Sequence, residues 1–289
     1  IEQKAWWSPR PYFFVERRTA PPTIEEAEAV LSEAFQYRLV ADVPVGLFLS
    51  GGIDSSLVAA ILAKRAGAPL ISFTLGFNEP RWDEAPHAQK IASFLGLPHF
   101  VHYITEAEVL DEVEKLPALY GQPFGDSSAL AVYKIAQVAR QKVKVVLSAD
   151  GGDELFGGYV RYTLTARQNW RWRLIKLLKQ APALTEFLLG VYKLMPDAFR
   201  QHTNLSGKLY KLLHLRLADY GEFLQVYPQV ALMQIIEGLS ESQLLPYLEE
   251  SIPASWEEPE ARMYADVRVY LVEDILRKVD RATMAVALE

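Results

Sequence analysis

The 289-residue chain contains no cysteine. Disulfides, cysteine-ligated metals and a thiol nucleophile are thereby excluded for these residues. It also lacks any uncharged apolar run of the roughly 18 to 20 residues that a membrane helix needs, and its N-terminus shows no charged-then-apolar signal pattern. The expected location is the cytoplasm, without a membrane partner. No Gly-Lys-Ser/Thr of a P-loop occurs, nor a G-x-G-x-x-G of a dinucleotide fold, nor an internal repeat. Basic charge is in short supply: 30 Lys and Arg face 36 Asp and Glu, and a net charge of −6 argues against a broad nucleic-acid surface. What is present is apolar content. At 50% hydrophobic residues the chain can bury a real core in one large or two smaller domains.

Residues 1–22, with Trp6, Trp7, Pro9 and Pro11, have no period and read as an extended linker leading out of another part of a protein. From Thr23, the apolar residues Ile24, Ala27, Val30, Leu31, Ala34 and Leu39 recur at helical spacing, and Glu25 and Glu26 suit a first turn. Strands then read at 45–49, 70–75, 100–104 and 143–147, with helices after the first strand, across 83–95, near 106–120 and across 127–141. Such alternation predicts a parallel sheet wrapped by helices on both faces over residues 23–158, with ligands at the carboxyl ends of the strands. Residues 159–289 show only helical periodicity broken by prolines, which predicts a helical part.

Ser50-Gly51-Gly52-Ile53-Asp54-Ser55-Ser56 follows the apolar run Val45 to Leu49 and opens onto Leu57 to Leu62. Two glycines let backbone approach an anion without Cβ obstruction, amide N–H groups converge, and the helix start adds partial positive charge. This is a pocket for phosphate. Asp54 would repel that phosphate unless Mg²⁺ bridges the two, which is a nucleotide signature. A plain strand-to-helix turn is the competing reading.

A second segment, Val145-Val146-Leu147-Ser148-Ala149-Asp150-Gly151-Gly152-Asp153-Glu154-Leu155-Phe156-Gly157-Gly158-Tyr159, repeats the logic: strand, small residues, glycine pair, acids. Its strand aims the acids at the sheet edge where the first loop sits. An exposed acidic turn is the alternative.

The first loop resembles that of the ATP pyrophosphatase group. The second segment, together with Ser72 to Phe77, Asp83-Glu84-Ala85 and Leu276 to Val286, resembles the synthetase domain of the glutamine-dependent asparagine synthetases. The resemblance runs from Trp7-Ser8-Pro9 to Leu288-Glu289 and is weakest between about Tyr162 and Pro253. It implies an α/β fold of the adenine-nucleotide-hydrolase-like, ATP pyrophosphatase type with a helical C-terminal half. It implies ATP and Mg²⁺, with Ser50, Gly51, Gly52, Asp54, Ser55 and Gly151 on the phosphates and Asp54 and Asp153 on the metal. Phe48 and Leu75 would border adenine, and Ser148 the ribose and α-phosphate. Asp150 would take protons from incoming ammonia. Lys278 and Arg281 would meet substrate carboxylate or phosphate charge, although a basic pair on a helix is often a solvated face. The implied reaction converts aspartate to asparagine through an aspartyl-AMP with release of pyrophosphate.

Departures from that family are specific. Its members carry an N-terminal glutaminase domain opening on cysteine, and continue past Leu-Glu with Ala-Arg-x-Pro-Phe. This chain starts at Ile1 and stops at Glu289, so both ends read as those of a fragment that would need ammonia from a missing glutaminase domain. Ala149 replaces glycine, and Gly121-Gln122-Pro123 replaces Asp/Glu-Glu-Pro, which leaves aspartate or another carboxylate open as acceptor. A β-lactam synthetase-like or sugar-modifying relative, or a nucleotide-binding module without catalysis, shares the same loops. A homodimer stays open. Between Leu155 and Thr185 there are no acids, while Arg161, Arg167, Arg171, Arg173, Lys176 and Lys179 interleave with Trp170 and Trp172. Such a stretch fits nucleic acid or a membrane surface, or a basic face packed near acids; the negative overall charge favours the last.

Overall fold

The structure, a computed structural model, describes residues 8–9, 13, 22–65, 70–122, 124–163 and 259–289. In chain order the elements are α1 (Ile24–Arg38), β1 (Val45–Phe48), α2 (Ile53–Arg65), β2 (Ile71–Phe77), α3 (Ala85–Leu95), β3 (His99–Ile104), α4 (Glu106–Val113), α5 (Leu116–Tyr120), α6 (Ala129–Arg140), β4 (Val145–Leu147), α7 (Gly152–Phe156), α8 (Val160–Thr163), α9 (Pro259–Ala265), a π-helical stretch Asp266–Leu276, and α10 (Arg277–Met284). The chain divides into two compact units, Val15–Asp153 with Leu271–Glu289, and Ile1–Phe14 with Glu154–Tyr270. Among the described residues no helix is long and apolar enough to cross a membrane.

In the larger unit four strands lie in the order β3-β2-β1-β4, each neighbouring pair parallel. Leu47 stands opposite Ser72 and Phe48 opposite Phe73, so successive residues of each strand serve opposite faces. On one face Leu47 and Leu49 pack with Val58, Ala59 and Leu62 of α2 and Ala88 and Ala92 of α3. On the other, Phe73 packs with Ile135, Ala136 and Ala139 of α6, with Val143 and with Leu288. Both faces of the sheet are thus covered, as the strand–helix alternation predicts. Apolar side chains on both faces explain why the strands read as continuous apolar runs rather than alternating ones.

Local chemistry sets the element ends. Thr23 caps α1: its hydroxyl accepts from the Glu26 amide at 3.2 Å while the Glu26 carboxylate accepts from the Thr23 amide at 3.0 Å. The stretch near 106–120 is two helices rather than one, because Pro117 lacks the N–H that a continuing α4 would need. At the chain's end the Glu289 amide donates to Lys144 at 2.8 Å and its carbonyl accepts from Val146 at 2.7 Å. That pair of bonds is the parallel pattern, placing Glu289 beside Val145 on the outer side of β4.

Among the described residues of the smaller unit, α8 is tied to the π-helical stretch by a buried charge pair. Arg161 donates through Nε and Nη2 to one carboxylate oxygen of Asp266, at 3.0 and 2.8 Å, and Tyr162 donates its hydroxyl to the same oxygen. The guanidinium lies over the rings of Tyr159, Tyr270 and Tyr162 at 3.9, 4.8 and 5.6 Å. Asp266 is fully buried, so this pairing is what makes its charge tolerable. The first cation of the basic aromatic stretch is therefore engaged with an acid of its own unit. Arg167, Trp170, Arg171, Trp172, Arg173, Lys176 and Lys179 lie outside the described residues, as do most of 1–22 and all of 164–258, where the linker and much of the expected helical part fall.

Candidate active site

The first glycine loop bridges β1 and α2. The Thr74 hydroxyl of β2 donates to the Leu49 carbonyl, and the Leu49 amide donates to Phe73 at 2.9 Å, so the point where strand becomes loop is pinned from the neighbouring strand. Gly51 then adopts a φ of +84°, and a Cβ there would meet the Ala88 nitrogen at 2.9 Å. Only glycine satisfies both the left-handed backbone and the close approach to α3. The loop's polar groups converge: the Ser50 amide donates to Ser55 Oγ at 3.3 Å, the Gly52 amide to Ser50 Oγ at 3.2 Å, and the two serine hydroxyls are 3.0 Å apart. Asp54 follows in the first turn of α2.

The second loop leaves β4, next to β1 in the sheet, and reaches the same edge. Its Gly152 is so close to Asp54 that a Cβ would lie 2.6 Å from the carboxylate Oδ2. Burial and then the nearby Asp153 carboxylate raise the Asp54 pKa above the usual carboxylate value. Neither acid makes an ion pair with a described residue. Two carboxylates close enough to perturb each other beside a glycine loop fit a hard divalent ion. Among the described residues no group of three or more histidine, cysteine or acidic side chains that could hold a metal occurs.

Ser148 donates its hydroxyl to Asp150 Oδ2 at 2.6 Å, and both side chains are exposed at the loop surface. Gly151 has a φ of +94°, and a Cβ there would rest 3.6 Å from Leu271. Ala149 packs against the cluster of Leu47 and Leu49, which accounts for a methyl at this position. Phe48 and Leu75 are half-buried on the α6 face of the sheet.

The two basic candidates differ. Arg281 is exposed, whereas Lys278 is largely buried and its ammonium donates to Asp126 Oδ2 at 2.5 Å. Asp126, Asp274 and Thr74 were not singled out by sequence reasoning. Asp126 had a signal, since Asp before Ser-Ser at a helix start caps its own loop, and its Oδ1 accepts from the Ser128 amide at 2.8 Å. Asp274 has none, because its environment is made by burial and by Asp126, 148 positions earlier in the chain (274 − 126).

A parallel sheet with two glycine loops converging at its carboxyl edge defines an α/β domain with its candidate site at the strand ends. The chain belongs to the asparagine synthase family, whose model matches residues 26–289. It is 30% identical over 268 residues to asparagine synthetase (glutamine-hydrolyzing) 1 of Bacillus subtilis (strain 168), covering 92% of this chain and 41% of that protein. It is 33% identical over 176 residues to asparagine synthetase (glutamine-hydrolyzing) of Brassica oleracea, covering 55% of this chain and 29% of that one. The chain thus spans less than half the length of these relatives. Among solved structures it is similar to glutamine-dependent NAD⁺ synthetase from Acinetobacter baumannii in complex with ADP, with a TM-score of 0.38, 25% identity, and coverage of 50% of this chain and 29% of that one.

Proposed function

We propose that the chain is the ATP-using part of an amide-forming ligase, converting aspartate to asparagine with ammonia delivered by a glutaminase domain. One observation carries this reading: Asp54, on the first glycine loop, lies against Gly152 of the second and within electrostatic reach of Asp153, at the carboxyl edge of a parallel sheet. In this assignment residues 23–158 hold the nucleotide and residues 1–22 lead in from the glutaminase part. Ser50, Gly51, Gly52, Ser55 and Gly151 cradle the β- and γ-phosphates, Ser148 lies along the α-phosphate, and Phe48 and Leu75 border the base. Asp54 and Asp153 would hold Mg²⁺, which when bound would supply positive charge to offset that of the phosphates.

The acceptor's side-chain carboxylate oxygen attacks the α-phosphorus of ATP, the bond to the β-phosphate oxygen breaks, and pyrophosphate leaves with an acyl-AMP formed. Loop amides stabilise the charge that develops on the leaving group. Ammonia then attacks the acyl carbon, AMP departs, and the proton shed by nitrogen passes to the Asp150 carboxylate, whose orientation Ser148 fixes. Arg281, exposed and close in sequence to Lys278, is the candidate cation for acceptor or phosphate charge.

The test is a paired assay on the full-length protein with aspartate, ATP, Mg²⁺ and ammonium. Asp150→Asn is expected to retain aspartate-dependent exchange of labelled pyrophosphate into ATP while amide formation falls by roughly 10² to 10⁴. Equal loss of both steps places Asp150 in metal or substrate binding instead. Wild-type protein that binds ATP but releases no pyrophosphate refutes the ligase assignment and favours a nucleotide-binding module.

A further inference from the structure

Topology puts a second group of charges near the candidate site. Helix α6 leads into β4, which is parallel to β1, so α6 starts at the carboxyl edge of the sheet and runs back along it. Residues 121–122 and 124–128, which precede α6, therefore lie at the edge where both glycine loops sit. Helix α10 packs on α6, and the residues after it reach the beginning of β4 at Val145, so its first residues, Arg277 and Lys278, also lie toward that edge. Leu271, just upstream, packs against Gly151.

Contacts from α5 and from the segment after it converge on the start of α10. The Lys278 ammonium donates to Asp126 at 2.5 Å, with the side chains only 12% and 22% exposed. The Tyr120 hydroxyl donates to the Lys278 carbonyl at 3.2 Å, and the Tyr120 ring stacks on Phe124 at 4.3 Å. With its amide turned so that the oxygen faces the guanidinium, Gln122 accepts from both terminal nitrogens of Arg277 at 3.2 Å. Burial pushes the Asp126 carboxyl up, but the Lys278 ammonium and the Ser128 amide bring it below its ordinary value. Asp274, by contrast, is held above its ordinary value by burial and by Asp126. The Lys278 ammonium is thus committed to Asp126, with Asp274 in its field. An anionic substrate group brought to that ammonium would meet both carboxylates, so this is a poor place for direct recognition of an anion.

We propose that Lys278 is a positioning residue: its bond to Asp126 pins the segment before α6 to α10, and through Leu271 fixes that segment's distance from the Asp150–Gly152 loop where the acceptor reacts. The inference rests on the proposed function, and differs from a role for Lys278 as a substrate ligand.

The test uses the full-length protein and the variants Lys278→Met, Asp126→Asn, their double and Lys278→Arg. Misplacing an acceptor-side segment by a fraction of an ångström raises the KM for aspartate roughly tenfold in each of the first two, with the KM for ATP changed by less than about twofold. Because one contact is lost in both, the double variant is expected to be no worse than the poorer single one, and Lys278→Arg to recover part of the loss. A direct ligand predicts otherwise: Asp126→Asn would leave the KM for aspartate unchanged or lower it, and that result overturns the proposal. If these variants fold poorly, Tyr120→Phe, which removes only the hydroxyl on the Lys278 carbonyl, is expected to raise the KM for aspartate in the same direction. No change there counts against the clamp. If the wild type releases no pyrophosphate with aspartate, the ligase reading fails and the clamp is read from thermal midpoints alone, where additive losses for Lys278→Met and Asp126→Asn refute it.

Discussion

The Cα of Gly152 lies directly against the Asp54 carboxylate, leaving no room for a side chain between the two glycine loops: an added Cβ would be 2.6 Å from Oδ2 and 2.8 Å from Cγ. Gly152→Ala is expected to push Asp54 aside. Pyrophosphate formation should fall by about 10²-fold, since a displacement near 1 Å in a reacting site costs that much. Thermal stability should change little, because the atom that moves is the end of a partly exposed side chain. Steady-state kinetics beside a melting curve checks both; wild-type rates would show that the two loops do not act as one site.

Asp54→Asn should remove activity and stabilise the ligand-free fold. Burial and Asp153 raise the Asp54 pKa, so the folded chain holds this proton more tightly than the unfolded chain does. Its ionisation therefore subtracts stability as pH rises above the unfolded value near 3.8, and the full penalty is present at pH 7. The amide removes that penalty. The melting temperature without ligand should rise at pH 7 and converge with the wild type's near pH 3, while added Mg²⁺ should stabilise the wild type more than the variant. An unchanged or lower melting temperature at pH 7 speaks against the strained carboxylate pair.

Leu288→Ala tests the end of the chain. Leu288 is fully buried in the cluster of Phe73, Ile135, Ala136, Ala139 and Val143. Truncating a buried leucine costs about 2 to 5 kcal/mol. Urea unfolding should show the midpoint shift without a change in slope, and a loss under about 1 kcal/mol would mean that α6 closes over the gap.

Glu108 carries a pH signature. Hydrogen bonds from Lys134 first, then from the Thr105 amide, lower its pKa to about 2 from an ordinary 4.5. A depressed carboxylate contributes stability that is present above pH 4.5 and lost as pH falls toward 2. Glu108→Gln should therefore be less stable than wild type at pH 7, with the difference shrinking through that acid window. Lys134, 15% exposed, keeps the pair partly shielded from solvent, so 0.5 M salt should not abolish the difference.

The legible part of the sequence was that determined by near neighbours. The four strands, the Thr23 cap with Glu26, and both glycine loops follow from period, capping chemistry and turn residues within a few positions. Their shared sheet edge follows from the rule for parallel α/β sheets. Illegible were pairings made by distant residues. Lys278 reads as a free cation on a helix until Asp126, 152 positions earlier, is brought to it, and Arg161 reads as part of a basic stretch until Asp266, 105 positions later, takes its charge. The π-helical course of Asp266–Leu276 had no sequence signal either, since its composition suits an ordinary helix and the wider turn depends on packing.

In the ligand-free loop, the amides of Ser50 and Gly52 already have acceptors, supplied by the hydroxyls of Ser55 and Ser50. The cradle is corked by its own side chains. An arriving group gains only the difference between its own acceptor strength and that of a neutral hydroxyl, a contest that a charged phosphoryl oxygen wins and an uncharged ligand or water does not. If the loop holds phosphate as proposed, Ser50 and Ser55 would thus favour a polyanion over a neutral ligand by occupying the amides it has to take over.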